Sequence, residues 1–376
     1  MVLKNCRYSE LAEKIKTEDS RIVIYGAGMI GQIVVPYFIR SFALEEYVEC
    51  YVDMDSRKQG RFVNFGSCRY KICSPEYLGL LGKHMVLLLT NSKFYPVIEF
   101  LDRIQISDSV ECYIVPLIQL LETEEQEIFQ IRKLVSEQMI PRKIHYCWFG
   151  GKEMPEFLRR CMDTWRRHCP DYELICWNED NYDVGRIPFA SEAYREKKYG
   201  FVTDVARLDI LYEHGGIYMD TDVSLIKKLD ELLYQPAFTG VEKWGNINTG
   251  GMAGAVPMHP MIKEMLEYRK KFHFTIEGGS LNMETNGFYE TVPFIKHGMR
   301  VDGSLQYING MTVYPAQAFH PYDYMSCQTK TKKSTFSIHH FYGGWMEKED
   351  QLNRGNTQAA FLSVMERINK SEEIRK

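Results

Sequence analysis

The sequence lacks the patterns that mark disulfide-stapled, membrane-spanning or nucleic-acid-binding proteins. Its ten cysteines include no Cys-x-x-Cys pair, and its first residues, MVLKNCRYSE, lack the apolar run of a signal peptide. The longest apolar runs are far too short to cross a bilayer. A net charge of −4 gives no general attraction to nucleic acid or to an anionic membrane. These absences predict a cytoplasmic protein with free thiols and no transmembrane segment; they leave peripheral membrane association open.

The sequence does contain enough apolar residues for two hydrophobic cores. Its 376 residues are 45% hydrophobic and 26% charged, which is ordinary for a globular protein. Residues 121–138 are charged, free of proline and glycine, and periodic like a helix. The pattern therefore predicts an α/β chain with a first domain at 1–120, a connecting helix at 121–138 and a second domain at 139–376, with a charged, exposed helix at its end.

The most informative stretch is TDVARLDILYEHGGIYMDTD, at 203–222. Its apolar spacing predicts a helix capped by Thr203, and the glycine pair predicts the end of that helix. A short buried strand follows and runs out at Asp220 and Asp222. Residues i and i+2 of an extended chain point the same way. The two carboxylates are therefore predicted to hold one hard divalent cation, Mn²⁺ or Mg²⁺.

The predicted helix also carries an acid and a base on one face. Asp204 and Arg207 are three residues apart, beside an apolar stripe. Such a pair is either a plain ion pair or a set of ligands for a polar group. An isolated Asp-x-Asp is weak evidence because most are turns or solvated pairs, but its combination with Asp-x-x-Arg and Gly-Gly-Ile-Tyr is specific.

Three blocks of the sequence together resemble glycosyltransferase family 32, the sugar transferases with a DXD sugar-binding region found in capsular-polysaccharide synthesis and yeast mannosyl-chain initiation. The core is similar to that of the large clostridial glucosylating toxins. The blocks are IPRKIHYCWFGG at 140–151, the stretch at 203–222, and SIHHFYGGW at 337–345. The resemblance implies a GT-A type domain that moves a hexose from a nucleotide sugar, a UDP-sugar, to a glycan acceptor in capsular or surface polysaccharide synthesis. It also implies retention of anomeric configuration by a front-face, ion-pair-like attack.

The resemblance assigns roles to the four charged residues. A divalent metal between the donor phosphates stabilises the leaving group in such a reaction. Asp222 is assigned as a direct metal ligand, and Asp220 as a bridge between metal and ribose or sugar. Asp204 and Arg207 are assigned to the sugar hydroxyls, where they would orient the ring for attack.

Three further residues are predicted to bind the donor. Trp148 ends a predicted first strand, where ligands sit in open α/β sheets, and the matching tryptophan of the resembling toxins stacks on uracil. A tryptophan packed in the core is the alternative. Tyr218 belongs to the strand before the aspartates. Asn248, in a polar, glycine-rich segment at 246–252, would line a sugar pocket unless that segment is only a flexible loop.

A late strand carries two neighbouring histidines, of which only one can face the metal. Phe336, Ile338 and His340 share one face, whose two large apolar residues predict that it is core; this leaves His339 for the cleft unless a bulge near Gly343 reverses the alternation. The resemblance agrees, because the family's metal-binding histidine stands six residues before its tryptophan, Trp345 here. That tryptophan is implied to lie near the donor phosphates. The family's serine is replaced by Gly344, which removes a hydroxyl contact to phosphate.

The first domain contains a separate candidate site. A strand, RIVIY, leads into Gly26, Gly28 and Gly31, and a second strand ends in Asp53. This is the dinucleotide fingerprint in its required context, with an acid placed for a ribose hydroxyl. The pattern predicts a Rossmann-like nucleotide-binding domain; alternatively, the glycines serve only the turn and helix packing.

Two other functions compete with sugar transfer. A NAD(P)-dependent oxidoreductase would use Gly26–Gly31 and Asp53 but would leave 139–346 without a purpose. A non-catalytic nucleotide-sugar-binding protein would use the same second domain, and the intact aspartate pair argues against it.

Overall fold

The computed structural model describes residues 1–82, 84–124, 134–343 and 354–373. The chain divides into two compact units, one formed by Met1–Gln126 with Arg354–Lys376 and one formed by Glu127–Asn353. In the part of the chain that is described, no helix is both long and apolar enough to span a bilayer.

The first unit is built on a seven-stranded sheet. Its strands are β1 (Val2–Lys4), β2 (Arg21–Tyr25), β3 (Val48–Val52), β4 (Phe62–Phe65), β5 (Cys68–Cys73), β6 (Met85–Leu89) and β7 (Glu111–Ile114). The strand order is β1-β7-β6-β2-β3-β5-β4, and every pairing is parallel except that of β4 with β5. The order reverses direction beside β2, as in doubly wound α/β sheets.

Helices of this unit include one from the far end of the chain. They are α1 (Tyr8–Glu18), α2 (Val35–Ser41), α3 (Tyr95–Arg103), α4 (Val115–Glu124) and the C-terminal helix, which we number α11 (Arg354–Glu373). Of the predicted connecting helix, α4 accounts for the start and residues 134–137 are bends, while 125–133 lie outside the described residues.

The C-terminal helix corrects the predicted domain boundary. It was expected as an exposed helix of the second domain, but it packs on the first unit. The Arg367 guanidinium pairs with Asp102 at 2.6 Å, and the Ser371 hydroxyl donates to the Leu3 carbonyl at 2.8 Å. Val364 and Ile368 are buried. Only these two residues of a largely polar helix are buried among those described, so charge content alone does not reveal that it packs on the first unit.

The second unit is built on another seven-stranded sheet, with two short ribbons. Its strands are β8 (Lys143–Cys147), β9 (Glu173–Trp177), β10 (Gly216–Tyr218), β11 (Val223–Leu225), β12 (Ala237–Val241), β13 (Ile247–Ala255), β14 (Gln306–Ile308), β15 (Met311–Tyr314), β16 (Tyr322–Asp323), β17 (Gln328–Thr329) and β18 (Ser337–His339). The large sheet has the order β14-β15-β12-β13-β10-β8-β9, and β11 pairs with β18 and β16 with β17.

Helices cover this sheet and complete the unit. They are α5 (Glu156–His168), α6 (Pro188–Arg195), α7 (Tyr199–His214), α8 (Pro260–Arg269), α9 (Asn286–Lys296) and α10 (Ala316–Phe319). Parallel pairing of β8 with β9 and β10, and antiparallel pairing of β10 with β13, make the sheet mixed. The predicted α/β class is confirmed, and the architecture is consistent with a GT-A-like domain.

Two local predictions around the site differ from the structure. The helix α7 begins at Tyr199, one turn before the predicted cap, and the Thr203 hydroxyl donates to the Tyr199 carbonyl at 3.1 Å. Threonine can make this bond inside a helix as well as cap one. The segment 246–252 lies almost wholly in β13 and is not a loop. Its glycines are needed where side chains from other elements approach the strand closely.

Candidate active site

Two aspartates and a histidine meet where β10 ends. Asp220 and Asp222 lie in the turn between β10 and β11, and β11 pairs with β18 so that Val223 is opposite His339. One ligand atom from each of Asp220, Asp222 and His339 lies within 4.8 Å of the others. The β11–β18 pairing therefore brings together the three predicted metal ligands.

Asp222 and His339 are buried and electrostatically paired. The His339 Nε2 atom is 3.3 Å from an Asp222 carboxylate oxygen, and the other oxygen accepts the Tyr342 backbone N–H at 2.7 Å. Burial by itself would raise the pKa of Asp222, but the imidazole and the backbone N–H outweigh it and lower that pKa to about 2. Two carboxylates and an imidazole are a donor set that fits Mn²⁺ or Mg²⁺ better than a soft metal.

The neighbouring histidine has a different environment. His340 shares a 2.9 Å hydrogen bond with the Ser224 hydroxyl, and its ring packs edge-on against Phe157. The predicted face assignment holds only in part, although it led to His339: Phe336 is fully buried as predicted, but Ile338 and His340 are only half-buried, while Ser337 and His339 are buried. The metal cluster itself is enclosed, so the cleft side of this strand is also its buried side.

Arg207 links the metal cluster to the helix α7. Its Nη2 atom lies 2.7 Å from an Asp204 oxygen and 3.3 Å from an Asp220 oxygen, and the side chain is 5% exposed. A pair three residues apart on a helix faces one way, as predicted. The predicted ion pair therefore forms, with Asp204 15% exposed and Arg207 5% exposed, while binding of a polar group by this pair stays a prediction.

Tyr218 supports the site from inside the core. The side chain is completely buried, and its hydroxyl donates to Asp220 at 3.0 Å. A fully buried ring has no surface for a ligand. The predicted direct contact with the donor is replaced by a contact that orients Asp220.

Asn248 has a similar supporting role in β13. Its Oδ1 atom accepts the backbone N–H groups of Gly250 and Gly251, at 2.8 and 3.1 Å, and its Nδ2 atom donates to Glu242 at 2.6 Å. A Cβ atom on Gly250 would lie 2.2 Å from an Asp220 oxygen and 2.5 Å from Arg207 Nη1. Only glycine lets β13 pass this close to the charged groups.

The predicted base-stacking tryptophan is at the edge of the unit. Trp148 follows β8 directly, is only half-buried, and donates its indole N–H to the Lys152 carbonyl at 2.7 Å. Trp148 is therefore not packed in the core, which was the alternative. Its stacking on a base stays a prediction. Trp345 and Gly344 lie outside the described residues.

Glu290 is a residue of this region that the sequence analysis missed. It is 1% exposed on α9, and it accepts the Thr249 N–H at 2.8 Å, the Thr249 hydroxyl, and the Asn286 amide at 2.6 Å. Burial raises its pKa to about 7. Glu290 lies in the second turn of α9, which begins at Asn286. The only local signal was the i, i+4 spacing of Asn286 and Glu290.

The glycine turn of the first unit has the predicted close packing. Gly26 has a φ of 106°, and a Cβ on Gly31 would lie 2.1 Å from the Gly26 carbonyl oxygen. Asp53 accepts the backbone N–H groups of Ala27 and Asp55, at 2.7 and 2.8 Å. The acid predicted for a ribose hydroxyl is thus already bonded to the turn, while Gly28 has open space around its Cα. Nucleotide binding there stays a prediction.

The fold and this cluster of charged residues fit the class of glycosyltransferases, and comparisons with known proteins support that class. Residues 155–239 match the family described as "Glycosyltransferase sugar-binding region containing DXD motif". The matched range contains α7 and both aspartates but ends before His339.

Relatives with known or assigned names belong to the same class. The chain is 31% identical over 149 residues to inositol phosphoceramide mannosyltransferase 1 of Schizosaccharomyces pombe, covering 36% of this chain and 44% of the relative. It is 32% identical over 133 residues to an uncharacterised glycosyltransferase of Acanthamoeba polyphaga mimivirus, covering 33% and 53%. A solved structure named PaToxG Glycosyltransferase aligns at a TM-score of 0.35 and 16% identity, over 54% of this chain and 77% of that one. The chain thus spans less than half of the yeast enzyme.

Proposed function

We propose that the protein is a metal-dependent, retaining glycosyltransferase that moves a hexose from a nucleotide sugar to a glycan acceptor. The observation that carries the proposal is the meeting of Asp220, Asp222 and His339 beside the Asp204–Arg207 pair. A metal cluster and a sugar-binding pair are then next to each other, as transfer from a nucleoside diphosphate requires. The intact ligand set favours catalysis over mere binding of nucleotide sugars.

Each group has a distinct task in this proposal. Asp222 and His339 hold the cation, and Asp220 holds both the cation and Arg207. A bound Mn²⁺ or Mg²⁺ would offset the charge that develops on the departing nucleoside diphosphate. Asp204 keeps 15% of its side chain exposed and is not among the three metal-ligand candidates, so it is assigned to accept sugar hydroxyls and orient the ring.

The donor and acceptor follow from the resemblance and the relatives. A UDP-sugar fits the stacking role proposed for Trp148, and a glycan of capsular or surface polysaccharide is the proposed acceptor. The yeast relatives are named as mannosyltransferases of inositol phosphoceramide, so mannose donors belong among the candidates. We place the reaction in the cytoplasm, where the ten free cysteines would stay reduced.

The first unit is proposed to bind a nucleotide or dinucleotide at Gly26, Gly28 and Gly31. Asp53 would have to exchange its bond to Ala27 for one to a ribose. An oxidoreductase built on this unit alone is the less favoured function, because it assigns no task to the charged cluster of the second unit.

The direct test is donor hydrolysis by the full chain. A panel of UDP- and GDP-sugars would be incubated with Mn²⁺, and released nucleoside diphosphate would be measured. We expect release with at least one donor, loss in excess chelator, and loss in Asp222→Asn, because an amide is a poorer cation ligand than a carboxylate. Lys270→Met, at the exposed residue that directly follows α8, is the control. Release that is unchanged by chelator and by Asp222→Asn would overturn metal dependence.

A further inference from the structure

Arg269, at the end of α8, is a buried cation that belongs to neither the metal cluster nor the sugar-binding pair. The side chain is 1% exposed. Its Nε, Nη1 and Nη2 atoms are all buried, and none has a hydrogen-bond partner among the described residues. Buried polar groups are nearly always hydrogen-bonded, and a buried charge without such bonds is costly. An arginine in this state needs another reason for its position.

Two aromatic rings close the faces of this guanidinium. Its central carbon lies 4.0 Å from the centroid of Phe189, on α6, and 3.8 Å from the centroid of Tyr289, on α9. The negative faces of the rings attract the cation and hold its plane in one orientation. The rings thus fix where the positive charge is, but they supply no acceptor for its five N–H groups.

The charged groups that act on Arg269 are the sugar-binding pair, Asp204 and Arg207, together with Glu290. Burial lowers the pKa of the guanidinium, and Asp204 and Glu290 act in the opposite direction, while Arg207 adds to the lowering. Arg269 and Arg207 therefore share the same carboxylates. Asp220, Asp204 and Glu290 act on Arg207, and the last two also act on Arg269, so three carboxylates and two guanidinium groups are linked electrostatically.

Removing one guanidinium would change this balance in a definite way. Three carboxylates would then face Arg207 alone, and repulsion among them would pull Asp204 away from its 2.7 Å contact with Arg207. We infer that Arg269 is a positioning residue of the donor-sugar subsite, whose charge holds Asp204 and Arg207 in the arrangement that binds the sugar. The inference rests on the proposed function of that pair.

A purely structural role makes a different prediction about which properties change together. Removing the Arg269 charge leaves the surrounding carboxylates less compensated, so the melting temperature of Arg269→Met is not expected to rise. If Arg269 only stabilises the fold, melting temperature, affinity for nucleoside diphosphate and turnover should fall together; if it positions the sugar-binding pair, turnover should fall while affinity for nucleoside diphosphate is kept. Arg269→Lys keeps a cation and should recover part of that activity. Lys270→Met, at the exposed residue that directly follows α8, is again the control.

The experiment measures four quantities in the full chain with Mn²⁺. These are melting temperature, affinity for free nucleoside diphosphate, and kcat and KM for hydrolysis of the donor that the wild type accepts. For Arg269→Met we expect an unchanged affinity for nucleoside diphosphate, and a kcat/KM lowered by roughly tenfold to a hundredfold, the effect of a small misplacement of a positioning group. Arg269→Lys should lie between this variant and the wild type.

Each outcome decides the question. Wild-type kcat/KM in Arg269→Met, or a fall in melting temperature together with both affinity and turnover, would overturn the positioning role. No recovery in Arg269→Lys would show that charge is not what matters. If the wild type itself hydrolyses no nucleotide sugar, the proposed function fails first and the inference fails with it. If the wild type is active and Arg269→Met is equally active, only the inference fails.

Discussion

Among single residues, the choice between His339 and His340 decides whether the aspartates have a third ligand. His339 lies 3.3 Å from Asp222, whereas His340 is bonded to Ser224 and packed on Phe157. The alternation of a strand separates the two side chains completely. A difference of one position in the chain therefore becomes a difference between a metal ligand and a packing residue.

We predict that His339→Ala weakens Mn²⁺ binding by roughly tenfold or more, since the cluster loses a ligand. His340→Ala should leave Mn²⁺ affinity close to that of the wild type, because the His340 ring is hydrogen-bonded to Ser224 and is not part of the metal cluster. Apparent affinity is measured by Mn²⁺ titration of donor hydrolysis and of bound metal. The reverse order of effects would mean that the β11–β18 pairing is not the one that forms in solution.

At the scale of elements, the contact between α9 and β13 fixes the position of β13 beside the site. Glu290 binds Thr249 through its backbone and side chain. The next residue, Gly250, accepts the Asp220 backbone N–H at 2.8 Å. The position of Asp220 thus depends on a carboxylate that belongs to another helix and touches no ligand itself.

Glu290 gives this contact a pH dependence. Its pKa rises from 4.5 to about 7 on burial, so the group favours the folded state below pH 4.5 and loses that contribution as the pH rises through about 7. The shift corresponds to at most about 3 kcal/mol. Glutamine cannot ionise, so the free energy of unfolding of Glu290→Gln should not fall for this reason as the pH rises. The variant should therefore become more stable relative to the wild type between about pH 5 and pH 8.

The measurement is urea unfolding followed by tryptophan fluorescence, because all five tryptophans belong to the second unit. Glu267→Gln, on the exposed face of α8, is the control and should follow the pH dependence of the wild type. A Glu290→Gln curve parallel to the wild-type curve across this range would contradict the assigned ionisation of Glu290.

In the whole molecule, the chain leaves the first unit, forms the second, and returns. The first unit contains Met1–Gln126 and Arg354–Lys376, and its helix α11 meets β1 and α3 through Ser371 and Arg367. The second unit is therefore an insertion between two parts of the first.

We predict that residues 127–353 fold alone and keep metal-dependent donor hydrolysis, because every residue assigned to that activity lies within them. Residues 1–126 alone should melt well below a chain in which a short linker joins 1–126 to 354–376, since α11 buries Val364 and Ile368. Calorimetry of the three proteins, with diphosphate release for the first, provides the test. Equal melting of 1–126 with and without α11 would contradict the division into units.

Local features of the site were predictable from the sequence. Covalent spacing places Asp220 and Asp222 on one side of a short turn, and helical spacing places Asp204 and Arg207 on one face. Alternating strands and helices predicted the α/β class. These features follow from interactions within a few residues, which leave a periodic or compositional pattern.

Only the tertiary structure determined which distant segments meet. His339 reaches Asp222 because β18 pairs with β11, Glu290 meets Thr249 across 41 positions, and Arg367 meets Asp102 across 265. Arg269 is surrounded by rings from two other helices. Such contacts depend on the shape and burial of whole surfaces, and a residue that is buried by a remote segment leaves no local pattern in the sequence. The residues around β18 show this directly: Phe336 is buried as its size suggests, but Ser337 and His339 on the other face are buried as well, and nothing in their local sequence indicates it.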